Sequence, residues 1–255
     1  MNKTMHLISN AHLDPIWQWE WEEGCASAVA TFRCAARFCR EFDNYIFCHN
    51  EALIYRWVEE YDPALFREIR ELVRLGKWHI MGGWHVQPDC NMPSGEAFVR
   101  QITEGRRYFR EKFGVEPTTA INFDPFGHTR GLVQILAGTG YDSYIFCRPH
   151  EGLCHLPAET FRWVGYDGSS VIAQRAQTGY STALGNAMKK IRPTTEALTD
   201  AAPLGFCLWG VGNHGGGPTI DMLDYIEEKR EKERLIYAAP DDFFRTLCKE
   251  EYPVY

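Results

Sequence analysis

Four polar side chains in this sequence stand where apolar runs end, and their types suit one kind of chemistry. The first two are His12 and Asp14 in "SNAHLDPIW", which follows the apolar "MHLI". In an extended segment, residues two apart share a face about 7 Å from each other at the backbone, so both tips can converge on one cation. A neutral imidazole with a carboxylate is a usual mixed set for zinc, with manganese, cobalt or iron as alternatives where oxygen donors are numerous. The plainer reading of this pair alone is a strand-end histidine hydrogen-bonded to its neighbouring carboxylate.

Asp124 in "NFDPFGH" comes directly off an apolar run, and Pro125 with Gly127 bends the chain away, leaving the carboxylate at the strand end. Taken singly, it reads equally well as the cap of a following helix. His214 in "GVGNHGGGPT" lies in a loop too rich in glycine to pack as core, where backbone must approach something closely. A phosphate cradle is the lesser reading, because that pattern ends in Gly-Lys-Ser/Thr and this loop has no lysine. Together His12, Asp14, Asp124 and His214 form a four-ligand metal set drawn from distant parts of the chain.

Other residues carry weaker signals. Trp17 is either a platform for the apolar face of a sugar or a core residue, and Trp19 and Trp21 read as core packing. "CRPHEGLCH" holds Cys147, His150, Cys154 and His155, but its spacing matches no zinc ribbon or finger. The "EEKREKER" run, Glu227 to Arg234, reads as a solvated helix face.

These residues need elements to position them, and the apolar pattern supplies candidates. Strand-like stretches recur as "MHLISNAHLD", "YIFCHNE", "WHIMGGWHV", "TTAINFDPFGH", "YDSYIFCRPH", "FRWVGYDGSSVIAQ", "GFCLWGVGN" and "LIYAAP". Helical spacing of apolar residues marks Ala26 to Phe42, Pro63 to Leu75, Gly95 to Phe113 and Gly131 to Ala137. This alternation predicts a mainly parallel α/β sheet or barrel, with functional side chains beyond the carboxyl ends of its strands. Asp167-Gly168 between two apolar runs predicts one antiparallel hairpin.

The whole chain sets the bounds. Its 255 residues suit one α/β domain, and neither a repeat nor a linker divides them. With 27 Lys plus Arg against 34 Asp plus Glu, the net charge of -7 argues against a nucleic-acid partner. No apolar run approaches the roughly 18 residues of a membrane span, and "MNKTMHLISN" lacks a signal-peptide core, so the expected location is the cytoplasm. That location makes "NKT" at Asn2 a chance sequon. Nine cysteines, an odd number, read as reduced and mostly buried thiols, with Cys34, Cys48, Cys147 and Cys207 in apolar surroundings. Nothing in the composition forbids an oligomer.

The motifs also resemble a known family. "HLDPIW" is similar to the His-x-Asp-x-x-Trp opening of the family 38 glycoside hydrolases, the class II α-mannosidases, and "DPFGH" and "GNHGGGPT" resemble two further signatures in the same order. "GGWHVQPDCNMPSGEAFVRQ" resembles the segment between the first two. The likeness runs over nearly the whole chain and corresponds to the family's N-terminal catalytic domain, without the helical bundle and β-domains that follow in its members. It implies a single catalytic domain over residues 1–255, built as an irregular seven-stranded (β/α) barrel with mainly parallel strands. It also implies a retaining exo-α-mannosidase with one zinc ion per chain, acting on terminal mannose in oligosaccharides or glycans.

By motif position, the resemblance makes His12, Asp14, Asp124 and His214 the zinc ligands, with Asp124 doubling as nucleophile. Trp17 and Phe126 are to line the mannose pocket, and Arg148 is to orient the nucleophile. Some relatives carry Asp at the position of Asn213, so Asn213 is the alternative to His214 by a one-residue slip. A retaining mechanism also needs an acid/base about 5 Å from the nucleophile. The loop where the family keeps it reads "AQTGYSTALGNAMKKIR", without Asp or Glu, and neither Glu196 nor Asp200 further on is assigned the role. Two alternatives remain: a metal-dependent polysaccharide deacetylase, for which the usual His pair at i and i+4 is absent, and a fragment that binds mannose without turnover.

Overall fold

Short runs of β-branched and aromatic residues become strands wherever glycine, proline or a polar cluster closes them off. The structure, a computed structural model, describes residues 3–200, 202–212, 214–247 and 251–255. Along the chain come β1 (Thr4–Ser9), α1 (Trp21–Glu41), β2 (Phe47–His49), α2 (Ala52–Tyr61), α3 (Pro63–Arg74), β3 (Trp78–Ile80), α4 (Gly95–Phe113), β4 (Thr119–Asn122), α5 (Gly131–Gly138) and β5 (Ser143–Phe146). Then follow β6 (Thr160–Val164), β7 (Ser170–Arg175), α6 (Met188–Glu196), β8 (Leu204–Trp209), α7 (Ile220–Glu233), β9 (Leu235–Tyr237) and α8 (Pro240–Leu247).

Helix ends follow local chemistry. Asp62 caps α3 by accepting from Leu65 N at 3.0 Å, with Pro63 opening the first turn. Ser94 caps α4, and Gly114 ends it in the left-handed conformation at φ 69°.

Two sheets carry the strands. In the first, ordered β3-β2-β1-β8, β1 runs parallel to β8 along its whole length, from Thr4 beside Leu204 to Ser9 beside Trp209. The other edge of β1 is shared between β9, opposite Met5 to Leu7, and β2, opposite Ser9. Met5 to Ser9 are all buried, as befits a central parallel strand covered on both faces. The second sheet, ordered β4-β5-β7-β6, is parallel except for β6, which forms the expected hairpin with β7 around Asp167-Gly168. Its parallel register aligns Asn122 with Phe146 and Phe146 with Arg175, so these three strands end level.

The chain divides into two compact units. One comprises Met1–His49, Ile54–His79 and Tyr180–Ala239; the other comprises Asn50–Leu53, Ile80–Gly179 and Pro240–Tyr255. The mixed α/β class and mainly parallel strands agree with expectation. A closed seven-stranded barrel is not shown: among the described residues there are nine strands in two sheets. The hairpin adds an antiparallel strand, β6, that a ring of βα units does not contain, and β9 adds a short third partner to β1. α1 begins at Trp21 rather than Ala26, and α2, α6 and α8 were not foreseen. α2 is rich in aromatic and β-branched residues, and α6 contains Pro193, both poor helix signals.

No helix of the described residues is long and apolar enough to cross a membrane. Cys48, Cys147 and Cys207 are buried free thiols, whereas Cys34 is exposed, on the outer side of α1. Asn2 and Cys248 lie outside the described residues.

Candidate active site

The first cluster is built where β1 ends. Asn10 N–H still donates to Trp209 O at 2.9 Å, so the segment leading to His12 stays extended beside the end of β8. His12 is buried and half-buried Asp14 lies beside it, with Nε2 and Oδ1 3.4 Å apart. That is long for a charge-assisted hydrogen bond, about 2.7–2.9 Å. It equals the spacing of two donors each about 2.1 Å from a tetrahedral ion, roughly 3.4 Å. By donor chemistry and spacing, the pair therefore fits a divalent cation. The His12 ring also packs against that of Tyr180, with centroids 4.2 Å apart.

Two glycines let backbone close in on this pair. A Cβ on Gly212 would stand 2.9 Å from His12 Cβ, and one on Gly24 would stand 2.0 Å from the Pro15 carbonyl oxygen. Gly24 therefore allows the loop after Asp14 to lie directly on the first turns of α1.

His214 sits on the loop closed by the pairing of Val211 with Gly217 and is itself bridged to Leu13. Directly paired residues put their side chains on one face, so this bridge sends the His214 ring to the Leu13 side, away from His12 and Asp14. There Nε2 meets Glu23 Oε1 at 2.9 Å and Ser27 Oγ at 3.4 Å, and the ring meets Trp19 edge-on at 3.9 Å. Trp19 Nε1 donates to Asp14 O at 3.1 Å, so Trp19 braces the loop rather than filling the core. Trp21 is likewise no core residue, being 40% exposed on α1. The chain bends through residues 15–19, so the three tryptophans do not lie along one extended segment. Trp17 is left 57% exposed, with its ring free for a ligand on one side and Trp19 edge-on at 5.4 Å on the other. Asn213 lies outside the described residues.

The second cluster stands beyond the level ends of β4, β5 and β7. Asp124 Oδ1 meets Arg148 Nη2 at 2.6 Å, each residue being two positions past its strand. Behind Arg148, the carbonyl of that residue accepts from His128 Nε2 at 2.6 Å, and His128 Nδ1 meets Tyr144 Oη at 3.2 Å. A carbonyl only accepts, so Nε2 carries the proton, and in the neutral ring Nδ1 accepts from the tyrosine. Burial holds His128 below its ordinary pKa, against the opposing pull of the Arg148 carbonyl and of Asp89, and so favours that neutral ring. Phe126 is 79% exposed, and the Arg148 guanidinium lies 5.4 Å over its ring.

Farther along the same rim, Arg175 is 1% exposed and receives Glu151 and, at 3.1 Å, Glu159. Burial raises the Glu159 pKa while Gln177 pulls it down. This acid is the kind a retaining glycosidase needs, and sequence reasoning passed it over because it precedes a strand instead of following one. Yet β6 is three strands from β4, about 14 Å at the backbone, against the roughly 5 Å between the two carboxyl groups of a retaining site.

Thus His12 is brought to Asp14, and Asp124 to Arg148. His214 is turned to Glu23, and among the described residues no three His, Cys, Asp or Glu side chains form a metal-holding group. In "CRPHEGLCH", His155 pairs with Glu151 at 2.8 Å, while the Cys154 carbonyl serves Arg175 at 2.7 Å.

Comparison with known proteins follows the same lines. A family model described as "Glycosyl hydrolases family 38 N-terminal domain" matches residues 2–255. Alpha-mannosidase G of Dictyostelium discoideum is 28% identical over 245 residues, covering 94% of this chain and 22% of that protein. Alpha-mannosidase 2C1 of Mus musculus is 29% identical over 254 residues, covering 97% of this chain and 24% of that protein. This chain therefore spans about a quarter of the length of the curated relatives it matches. Among solved structures, an alpha-mannosidase from Enterococcus faecalis superposes with a TM-score of 0.83 at 15% identity, over 99% of this chain and 30% of that one, a likeness of fold.

Proposed function

This chain belongs to glycosyl hydrolases family 38, and from that premise we propose that it is the catalytic α/β part of an exo-acting α-mannosidase. The substrate is terminal α-linked mannose on oligosaccharides or glycans, removed with retention of configuration at a site holding one zinc ion. The observation that carries this reading is the Asp124–Arg148 pair at 2.6 Å beyond the carboxyl ends of β4 and β5, where an α/β fold presents its chemistry.

In the first step the Asp124 carboxylate attacks the anomeric carbon and the glycosidic bond breaks, its oxygen taking a proton from solvent water where no acid is assigned. In the second, water adds to the same carbon, the Asp124 carboxylate is released, and the proton that water loses returns to solvent. Arg148 holds the Asp124 carboxylate aimed at the anomeric carbon. Trp17 and Phe126 offer exposed rings to the apolar face of the sugar. His12 and Asp14 are the best-formed pair to hold zinc, with Asp124 and His214 as the further donors of the proposal. What zinc supplies when bound is a grip on vicinal sugar hydroxyls. Action in the cytoplasm belongs to the same reading, and the net charge of -7 supports a substrate other than nucleic acid.

The test combines elemental analysis with turnover of a nitrophenyl α-mannoside followed by NMR. About one zinc per chain and α-mannose as the first-formed anomer are expected; β-mannose released first would rule out retention, and no turnover with zinc bound would leave a mannose-binding module. An activated aryl mannoside needs no acid for its leaving group, so turnover of it without turnover of alkyl mannosides identifies a chain lacking its acid/base.

A further inference from the structure

We propose that Glu51 is a positioning residue for Asp124, acting through the side chain of Gln87; the proposal rests on the reading of Asp124 as nucleophile. Glu51 lies between β2 and α2, is 4% exposed, and has φ 69°, in the left-handed region that non-glycine residues rarely occupy. A buried carboxylate and a strained backbone at one residue persist only where the surrounding structure demands them, and such residues gather at functional sites.

The contacts show what is demanded. Glu51 Oε1 accepts from both the backbone N–H of Gln87, at 3.1 Å, and its side-chain Nε2, at 3.2 Å. With its NH₂ fixed on Glu51, the Gln87 amide has one orientation, and its Oε1 is aimed at Phe123 N–H, which it accepts at 2.7 Å. Phe123 immediately precedes Asp124. The same loop is tied to β4 twice more, by Trp84 Nε1 donating to Ile121 O at 2.6 Å and Asn122 Nδ2 donating to Pro88 O at 2.9 Å. Arg148 holds the Asp124 carboxylate, while the Glu51–Gln87 relay holds the backbone from which it springs. Misplacement of a reacting group by about 1 Å can cost two orders of magnitude in rate.

The relay also has an internal reversal that tests it. Gln87→Glu sets two carboxylates face to face and should break the relay. Adding Glu51→Gln restores it with donor and acceptor exchanged: the amide introduced at position 51 donates to the carboxylate introduced at position 87, which still accepts Phe123 N–H. The expected result for Gln87→Glu is a fall in kcat of about 100-fold with KM changed less than about threefold. Faster amide hydrogen exchange confined to the 119–128 segment should accompany it, and the double variant should recover both. A merely structural role lowers thermal stability without the kcat-against-KM split. Should Gln87→Glu fail to fold, Gln87→Met removes the acceptor without a charge and is read in the same way. Unchanged exchange at 119–128 overturns the proposal whether or not the chain turns over mannosides. Unchanged kcat in a variant whose exchange has risen overturns the positioning role, and activity surviving Asp124→Asn instead refutes the nucleophile on which the proposal rests.

Discussion

Asp124 and His214 both follow buried parallel strands, yet the molecule holds them in opposite ways. Asp124 is fixed from two directions: its carboxylate on Arg148, backed by His128 and Tyr144, and its preceding N–H on Gln87. His214 is 37% exposed and rests on a Glu23 carboxylate that is 62% exposed, at the turn of a glycine-rich loop. An exposed ion pair is worth about 0–1 kcal/mol, whereas zinc bound to a structural site yields roughly 10–16 kcal/mol. A ligand can therefore re-aim His214 at little cost, but not Asp124. Preorganisation here follows burial of the supporting shell, not the chemistry of the side chain itself.

That contrast sets the order of effects. On the proposed retaining mechanism, Asp124→Asn should remove turnover by about four orders of magnitude or more, since the nucleophile proposed there has no substitute. Steady-state kinetics on the aryl mannoside decides it. Arg148→Met should cost kcat about 100-fold by freeing the carboxylate while leaving KM nearly unchanged. His214→Ala should lower zinc affinity by about 10–100-fold yet restore much of its activity in excess zinc. If instead His214→Ala matched Asp124→Asn and excess zinc restored nothing, the two regions would be equally committed and the contrast would fail.

The parts of this arrangement that were legible in sequence are those whose signal is local. Asp167-Gly168 announced the β6–β7 hairpin, and the apolar runs ending at His12, Asp124 and Arg148 marked strand ends correctly. Joining His12 to Asp14 needed only the two-residue period of an extended chain. Glu51, Gln87 and Phe123 are spaced 36 residues apart at each step, and no pattern in a single sequence links them. The sole local hint was a charge amid "FCHNEALIY". The direction of His214 was equally hidden, because it depends on a bridge to Leu13 made across nearly the whole chain.

Gly24 offers a smaller test on the loosely held side. Alanine is the better helix former by about 0.8–1.0 kcal/mol, which alone predicts stabilisation of α1. The Pro15 carbonyl oxygen 2.0 Å from the new Cβ reverses the sign, because backbone must move. The expected outcome for Gly24→Ala is a net loss of about 1–3 kcal/mol, read as a lower urea midpoint, together with weaker zinc binding as the His12–Asp14 loop shifts. A higher midpoint would mean that the loop yields freely and is not seated on the helix.

The smallest effect sharpens the tightly held side. Burial keeps the folded-state pKa of His128 below its ordinary value of 6.5, so the unfolded chain binds this proton more readily. The stability contributed by the neutral ring is therefore complete above pH 6.5 and is lost as pH falls from there through the folded value. Protonation would also put a second N–H opposite the Tyr144 hydroxyl and reverse the bond that steadies the brace behind Arg148. One proton changes stability by at most about 1.4 kcal/mol per pH unit. Gln at position 128 keeps a donor for the Arg148 carbonyl but does not titrate. Urea midpoints compared between about pH 8 and pH 5 should fall more steeply for the wild type than for His128→Gln. Parallel curves would show that the imidazole is not held neutral, and would remove one of the two supports credited to Asp124.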